Sequence, residues 1–482
     1  MRGGNSRPYY DKRRNNCRLP RRADAAAGAA AAMPMKRVLG LAVLACALLA
    51  GCASYTPRPL HPRRSASALR RRSLSDPRLL RFLALEQHRS DPPRWDLATL
   101  SLVAVYERPD MPIARARLGE ARAGELTASE LPNPTLSIAP TYDATSHGWK
   151  AGPLIDFLLG PYGARPARMA RAQARIDEAR QRIAITAWGL RARVRGALIE
   201  LWSSRAALRL AGQRVTLAAH YRDALAERLR AGMASASAVS AATLAWQRAE
   251  LRLAEDRRRA RLASAALAAA LAVPDSALEG VRVDLRDIAH PRPPGRLRGL
   301  VRAALVSRPD VLQALAHYQA AQDALRLAVA QQYPWFEIGP GYHYDQGDNK
   351  FIVSISLPLP LLNRNQGPIA QARAARRLAA EQFLAVQARA LAGIDRARAD
   401  WHASESELQR ARRLRAAAAS QLSRQRVRFA AGGIGRLRLL GAEQAFVQAR
   451  QFTLAASLHQ RRALGALESA LYHPFLVAPR SR

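Results

Sequence analysis

Between residues 366 and 430 nothing interrupts a helical pattern except its opening Gly-Pro and an isolated Gly393. At 1.5 Å per residue such a helix is roughly 95 Å long. An alternating stretch, "FIVSISLPL" at 351–359, feeds almost directly into it, with Phe351, Val353, Ile355, Leu357 and Leu359 on one face and Ser354 and Ser356 on the other. The rod far exceeds the ~30 Å hydrocarbon core of a bilayer. It also carries an arginine every few residues, each costing ~2.5–3.5 kcal/mol at mid-membrane. It must therefore stand in water and pack on other helices through its alanines.

The same unit occurs twice, offset by 200 residues. "RPD" at 108–110 recurs at 308–310, "RLRAGMASASAVSAATLAWQRAE" (228–250) lies without a gap over "RFAAGGIGRLRLLGAEQAFVQAR" (428–450), and Pro274 corresponds to Pro474. Matching Ala and Arg is cheap in this composition, but the coincidence of RPD, Gly232/Gly432 and Pro274/Pro474 is not. The repeats span 95–274 and 301–474, joined by a linker at 275–300 in which "HPRPPG" breaks any helix. Each reads as helix, two strands, very long helix, glycine turn, helix. In the second, a helix over 311–332 stops before Pro334, and strands over 335–344 and 351–359 flank the turn "DQGDNK". Phe336, Ile338, Tyr342 and Tyr344 share a face. In the first, strands fall at about 134–143 and 149–159, where Trp149, Ile155, Phe157 and Leu159 share a face.

Strands of 9–11 residues cross a bilayer when tilted, and aromatics near their ends suit interfacial girdles. An ordinary soluble sheet explains one such hairpin as well. Two hairpins in repeat register, behind the leader described next, favour membrane strands whose lipid-facing set includes Phe336, Ile338, Phe351, Val353, Ile355 and Leu357. Four strands cannot close a barrel, since the smallest have eight, and an open edge in lipid leaves backbone groups unpaired. The chain must oligomerise.

"MKRVLGLAVLACALLAGCAS" has a basic start, an apolar run of about 13 residues from Val38 to Ala50 and then small residues, which reads as a secretory leader. "LAGC" at 49–52 resembles a bacterial lipobox, making 35–51 a lipoprotein signal peptide and Cys52 the acylated first residue. Ala53, in place of Asp, resembles the sorting signal for the outer membrane of a Gram-negative bacterium. Residues 1–34 then read as an extension ahead of a start at Met33 or Met35. Residues 52–94, rich in Pro and Arg, read as a lipidated tether, and 475–482 as a tail. With Cys17 and Cys46 upstream of cleavage, the mature chain has no thiol for a disulfide.

The formal charge is +39, from 76 Lys+Arg against 37 Asp+Glu. The arginines are spread along the helices, with no basic patch interleaved with aromatics, so nucleic acid is not the predicted partner. His220, His317, His343, His402 and His459 are scattered singly, no HExxH occurs, and "GGIG" at 432–435 lacks the Lys-Ser/Thr of a phosphate loop. No catalytic, metal or cofactor site is expected, and the chain reads as a non-enzyme.

Strand–"LPLPLLNRNQGPIAQARA"–helix, "LPNPTLSI" before the first hairpin, and the paired "RAG"/"AAG" turns together resemble TolC-type outer-membrane efflux channels, over about residues 95 to 474. The Pro-Asn-Pro and Asn-Arg-Asn-Gln-Gly stretches look most like the heavy-metal (Czc-type) branch. The resemblance implies a mainly α fold with a small β part: a homotrimer with four strands per protomer, making a 12-stranded transmembrane β-barrel continued by a long α-helical coiled-coil barrel. It implies a passive duct whose partners are outer-membrane lipid, a periplasmic adaptor and an inner-membrane efflux pump. Two other readings fit parts of the pattern: a periplasmic adaptor lipoprotein, which would carry a single helical hairpin, and a basic helical envelope scaffold, which would need no strands. In the family the periplasmic tip follows each turn glycine, here Gly232 and Gly432, and in the second copy aspartates six and nine residues on ring the aperture. Those positions here are Arg438 and Gly441, with Ala238 matching the first in copy one. The acidic ring is therefore expected to be missing.

Overall fold

The computed structural model describes residues 55–88, 93–145, 148–292, 295, 297–345 and 347–475. Cys52, the leader and the extension before it lie outside the described residues, as does the tail from 476 onward. Residues 55–61 hold no regular element. The compact unit that carries the fold begins at Arg63.

Its first half runs α1 (Pro62–Arg70), α2 (Pro77–Gln87), α3 (Leu97–Glu107), α4 (Asp110–Ser129), β1 (Thr135–Ile138), β2 (Thr141–Asp143), β3 (Gly148–Ala151), β4 (Pro153–Leu159), α5 (Ala164–Arg230) and α6 (Ala236–Leu271). A 3-10 turn at Asp275–Leu278 and the short α7 (Arg286–Ala289) lead to α8 (Leu297–Ser307), α9 (Pro309–Ala330), β5 (Phe336–Asp345), β6 (Asp348–Ser356), α10 (Gln366–Ala430) and α11 (Arg436–Leu471). Helices α3 and α8, and likewise α6 and α11, begin and end 200 residues apart. The turn glycines Gly232 and Gly432 adopt left-handed φ of 70° and 72°, where a Cβ is strained. Helix α10 has the bounds its sequence predicts.

Helix α5 packs along α4, α6, α9 and α11, while α10 packs along α9 and α11. Two side-by-side layers result. Nearer the sheet the order is α4, α5, α9, α10; farther from it the order is α6, α5, α11, α10. One edge of both layers is α10, and the other is α4 or α6.

The largest buried cluster joins Leu79 and Leu83 of α2, Leu100 and Val103 of α3, Leu190, Val194 and Leu198 of α5, and Leu267 and Leu271 of α6. The structure thus departs from the expected tether over 52–94: Pro62–Arg70 and Pro77–Gln87 are helical, and between them Arg72 pairs with Glu107 at 2.9 Å and donates to the Ala272 carbonyl at 2.8 Å. The physical reason is local. Asp76 caps the amide of Arg78 ahead of a proline in the first turn, and Leu79 and Leu83, four residues apart, present one apolar face.

The RPD motif, a repeat marker in the sequence, has a structural task. Arg108 binds Asp110 at 2.9 Å and donates to the Ala269 carbonyl at 2.9 Å. Arg308 binds Asp310 at 2.6 Å, donates to the Ala470 carbonyl and lies 4.9 Å from the Tyr472 ring centre. Each arginine therefore ties the start of a repeat's second helix to last-turn carbonyls of its final helix, groups that lack a full set of intrahelical partners. Arg308→Ala is expected to cost ~1–3 kcal/mol through the lost charge-assisted bonds, read as a lower thermal midpoint in detergent. A midpoint equal to wild type would remove this role.

The linker is pinned as well. Arg461 lies 3.9 Å from the Trp202 ring centre and donates to the Ile288 and Ala289 carbonyls at the end of α7. Burial, with Arg412 nearby, lowers its guanidinium to about 10, so it remains charged at neutral pH.

Candidate functional site

The strands form one antiparallel sheet. Strands β1 and β2 pair with β4 and β3 in a single continuous register: Ile138 lies opposite Pro153 and, three residues on, Thr141 lies opposite Lys150. Strands β3 and β4 in turn share one register on β5, through Ala151 opposite Tyr344 and Leu154 opposite Gly341. Six segments therefore make four strands, ordered β1/β2, β3/β4, β5, β6, and the hairpins of both halves are joined through β4 and β5. The expected strands at 134–143 and 149–159 are each interrupted, the first at Pro140, which lacks an amide for the ladder, and the second at Gly152. A Cβ on Gly152 would lie 1.7 Å from the Tyr342 carbonyl oxygen, so the backbones meet where only glycine fits.

Residues directly opposite each other share a face, and the pairing divides the sheet in two. One face collects Leu136 and Ile138 with Ile155 and Phe157, then Phe336, Ile338 and Tyr342, then Phe351, Val353 and Ile355. Phe351 is 87%, Val353 69% and Ile355 72% exposed, an outlay of apolar surface that none of the described residues covers. All the residues expected to face lipid fall here, except that Leu357 stands one residue beyond the end of β6. Tyr142 packs on Trp149 and Tyr342 on Phe351 toward the hairpin turns, with ring centres 5.3 and 5.9 Å apart. Tyr162, Tyr333 and Trp335 are exposed at the opposite end, beside the helices.

The other face is mixed, with Leu154, Leu158 and Ile352 beside a polar set. Asp156 lies between the Ser137 hydroxyl at 3.4 Å and the Ser354 hydroxyl at 3.5 Å. A Cβ on Gly339 would come within 2.3 Å of both Asp156 Oδ1 and Ser354 Oγ, so this glycine opens the space in which they meet. Toward the turns, Lys150 bridges Asp143 at 3.3 Å and Asp345 at 3.5 Å, and Lys350 binds Asp345 at 2.7 Å. This ion network crosses all four strands.

The junction motif has a local explanation. Asn365 takes a left-handed φ of 60° at the start of α10, its amide donates to Asn363 Oδ1 at 2.9 Å, and its side chain donates to the Ala328 carbonyl at 2.6 Å. The Asn-Arg-Asn-Gln stretch thus turns the chain from sheet to helix and docks that turn on α9. Helix α5 ends at Arg230, just before the turn at Gly232, and α10 at Ala430, just before Gly432, 60-odd residues from the sheet, or about 100 Å at 1.5 Å per residue. Ala238, half-buried, sits in the first turn of α6, where its amide bonds to the Ser235 hydroxyl at 3.2 Å; Arg438 is exposed in the first turn of α11, and Gly441 one turn on. Among the described residues no helix is long and apolar enough to cross a membrane.

The sequence matches the family described as outer membrane efflux protein over residues 103–273 and 300–471. It is 30% identical to Protein CyaE of Bordetella pertussis over 334 residues, covering 64% of this chain and 67% of that one. The fold is similar to the outer membrane protein VceC of Vibrio cholerae (TM-score 0.64, 19% identity, 79% of this chain and 96% of that one). It is likewise similar to the outer-membrane channel OprN (TM-score 0.64, 18% identity, 88% and 99%).

Proposed function

Because this chain belongs to the outer membrane efflux protein family, we propose that it is the lipid-anchored outer-membrane exit duct of a tripartite efflux system. The observation that carries this reading is the two-faced, open sheet set directly on helices about 100 Å long. A ten-residue strand rises ~33 Å, or roughly 23 Å when tilted by 45°, close to the apolar band of an outer-membrane barrel. The aromatic groups at both ends of the strands match girdles at two interfaces. The apolar face meets lipid and the Asp156 face lines a water-filled lumen.

The sheet has two unpaired edges, β1/β2 and β6, and lipid does not tolerate such edges. Three copies supply twelve strands and close the barrel. The helix layers have matching open edges: Ile113 and Leu126 on α4 and Leu244 and Leu251 on α6 are exposed on one side, and Leu378, Leu384 and Leu414 on α10 on the other. Closing the barrel brings α10 of one copy against α4 and α6 of the next. A periplasmic adaptor built round one helical hairpin would not join two hairpins into one sheet. The duct performs no chemistry; an inner-membrane pump and a periplasmic adaptor supply cargo and energy.

The test is extraction and sizing of wild type and Cys52→Ser. Wild type should leave the membrane only in detergent, as a heat-sensitive trimer labelled by palmitate. The variant should lose the label yet stay largely in the membrane, since one acyl chain anchors only marginally and the barrel much more. Label persisting in the variant would exclude Cys52 as the acylation site, and a fully soluble, monomeric variant would exclude the barrel.

A further inference from the structure

The two helical hairpins differ in one respect at their far ends. Arg424, Arg426, Arg436 and Arg438 flank the turn at Gly432, where the positions 200 residues earlier are Ala224, Ala226, Ala236 and Ala238. Arg428 matches Arg228, and only Arg230, opposite Ala430, runs the other way. The five arginines of the second turn are exposed. Arg426 is held by Glu443 at 3.1 Å and Arg424 donates to the Ser420 hydroxyl at 2.7 Å. Arg428, Arg436 and Arg438 have no acidic partner among the described residues.

Stability does not account for this set. Arg424, Arg426 and Arg428 at the end of α10 oppose the negative end of the helix dipole, but Arg436 and Arg438 stand in the first turn of α11, where a cation is disfavoured. Two unpaired cations placed against the dipole, at positions where the other repeat has alanine, point outward to something negative.

We propose that the Gly432 turn is a cationic collar around the duct's entrance, and that anionic solutes are the cargo class it admits preferentially. This rests on the trimeric duct proposed above, in which the turn is the end farthest from the sheet and three copies place Arg436 and Arg438 six times around one opening. Pairs of exposed charges repel weakly in water, but a narrow mouth walled by protein focuses their field and raises the local concentration of counter-ions. The acidic Asp156 and Glu337 of the sheet are unchanged by alterations at the tip, so a difference between wild type and tip variants reports the collar alone.

Full-length wild type, Arg436→Ala/Arg438→Ala and Arg438→Asp are compared in planar bilayers under a KCl gradient, with exposed Arg398→Ala in mid-α10 as control. The anion-to-cation permeability ratio should fall on the order of threefold in the double alanine variant and further in the aspartate variant, with the control like wild type. The difference should shrink at 1 M salt, where the screening length is about 3 Å. Binding of pyrenetetrasulfonate to the detergent-solubilised trimer supplies a readout independent of channel opening: it should weaken in both tip variants and not in the control. Equal permeability ratios and equal dye binding across all four proteins overturn the collar while leaving the duct intact. A monomeric wild type that neither conducts nor binds dye overturns the duct reading and the collar with it. Tip variants that keep wild-type selectivity and dye binding but no longer capture a periplasmic adaptor overturn the proposal in favour of a protein-docking surface.

Discussion

Val353→Arg and Ile355→Arg are each expected to prevent assembly in the outer membrane, while Ser354→Arg, between them, is expected to be tolerated. Val353 lies opposite Pro340 and Ile355 opposite Ile338, in the middle of the apolar face, whereas Ser354 lies opposite Gly339 on the other face beside Asp156. An arginine facing lipid near the midplane costs ~2–4 kcal/mol, so in the proposed trimeric barrel three copies would make ~6–12 kcal/mol. An arginine at 354 enters water next to a carboxylate and adds no such term. The amount of heat-modifiable trimer in outer-membrane fractions measures the difference. Equal losses at all three positions would mean that both faces are packed, as in a soluble core, and the barrel would have to be abandoned.

That alternation was plain in the sequence because it is local. Phe336 and Ile338 alternate with Glu337 and Gly339, and Val353 and Ile355 with Ser354 and Ser356, over single strands, so a period of two places them; Ile352, on the other face, breaks the pattern. The union of the two hairpins was not legible. Strand β4 meets β5 across a long helical excursion, and its register rests on a non-local fit that includes the close approach of Gly152 to Tyr342. The long helix at 366–430 was fully readable, since its ends are marked by Gly-Pro and by Gly432. The helix at Pro77–Gln87 was missed because its surroundings are Pro- and Arg-rich, although Asp76, Pro77, Leu79 and Leu83 carried both a start signal and a buried face. The part played by Arg108 and Arg308 was hidden for another reason: the carbonyls they reach lie some 160 residues away. The Asn363–Gly367 stretch carries the family resemblance and has a local task as well, the turn from sheet to helix, which only its contacts show.

Glu468→Ala is expected to be the most damaging single change in the helical body. Glu468 of α11 is 2% exposed and binds Arg191 of α5 at 2.7 Å, with Arg195 of α5 in direct contact on its other oxygen. Arg195 is itself buried, and burial first, then the neighbouring Arg191 charge, lowers its guanidinium to about 10. It is still protonated at neutral pH, so two cations share one buried anion across the seam between the two repeats. Removing that anion leaves both unpaired, and breaking a buried pair in this way costs ~3–5 kcal/mol. At ~1–2 °C per kcal/mol for a body of this size, the thermal midpoint in detergent should fall by roughly 5 °C. The cluster as a whole need not be stabilising, because desolvation of three charges consumes most of their attraction. Replacing all three together, with Arg191→Met, Arg195→Leu and Glu468→Leu, is therefore expected to return the midpoint close to wild type, as all-apolar substitutes for buried ionic clusters do. If Glu468→Ala unfolds at the wild-type temperature, the carboxylate is not holding the seam. If the triple variant is as unstable as Glu468→Ala, the loss lies in side-chain packing, not in an orphaned charge.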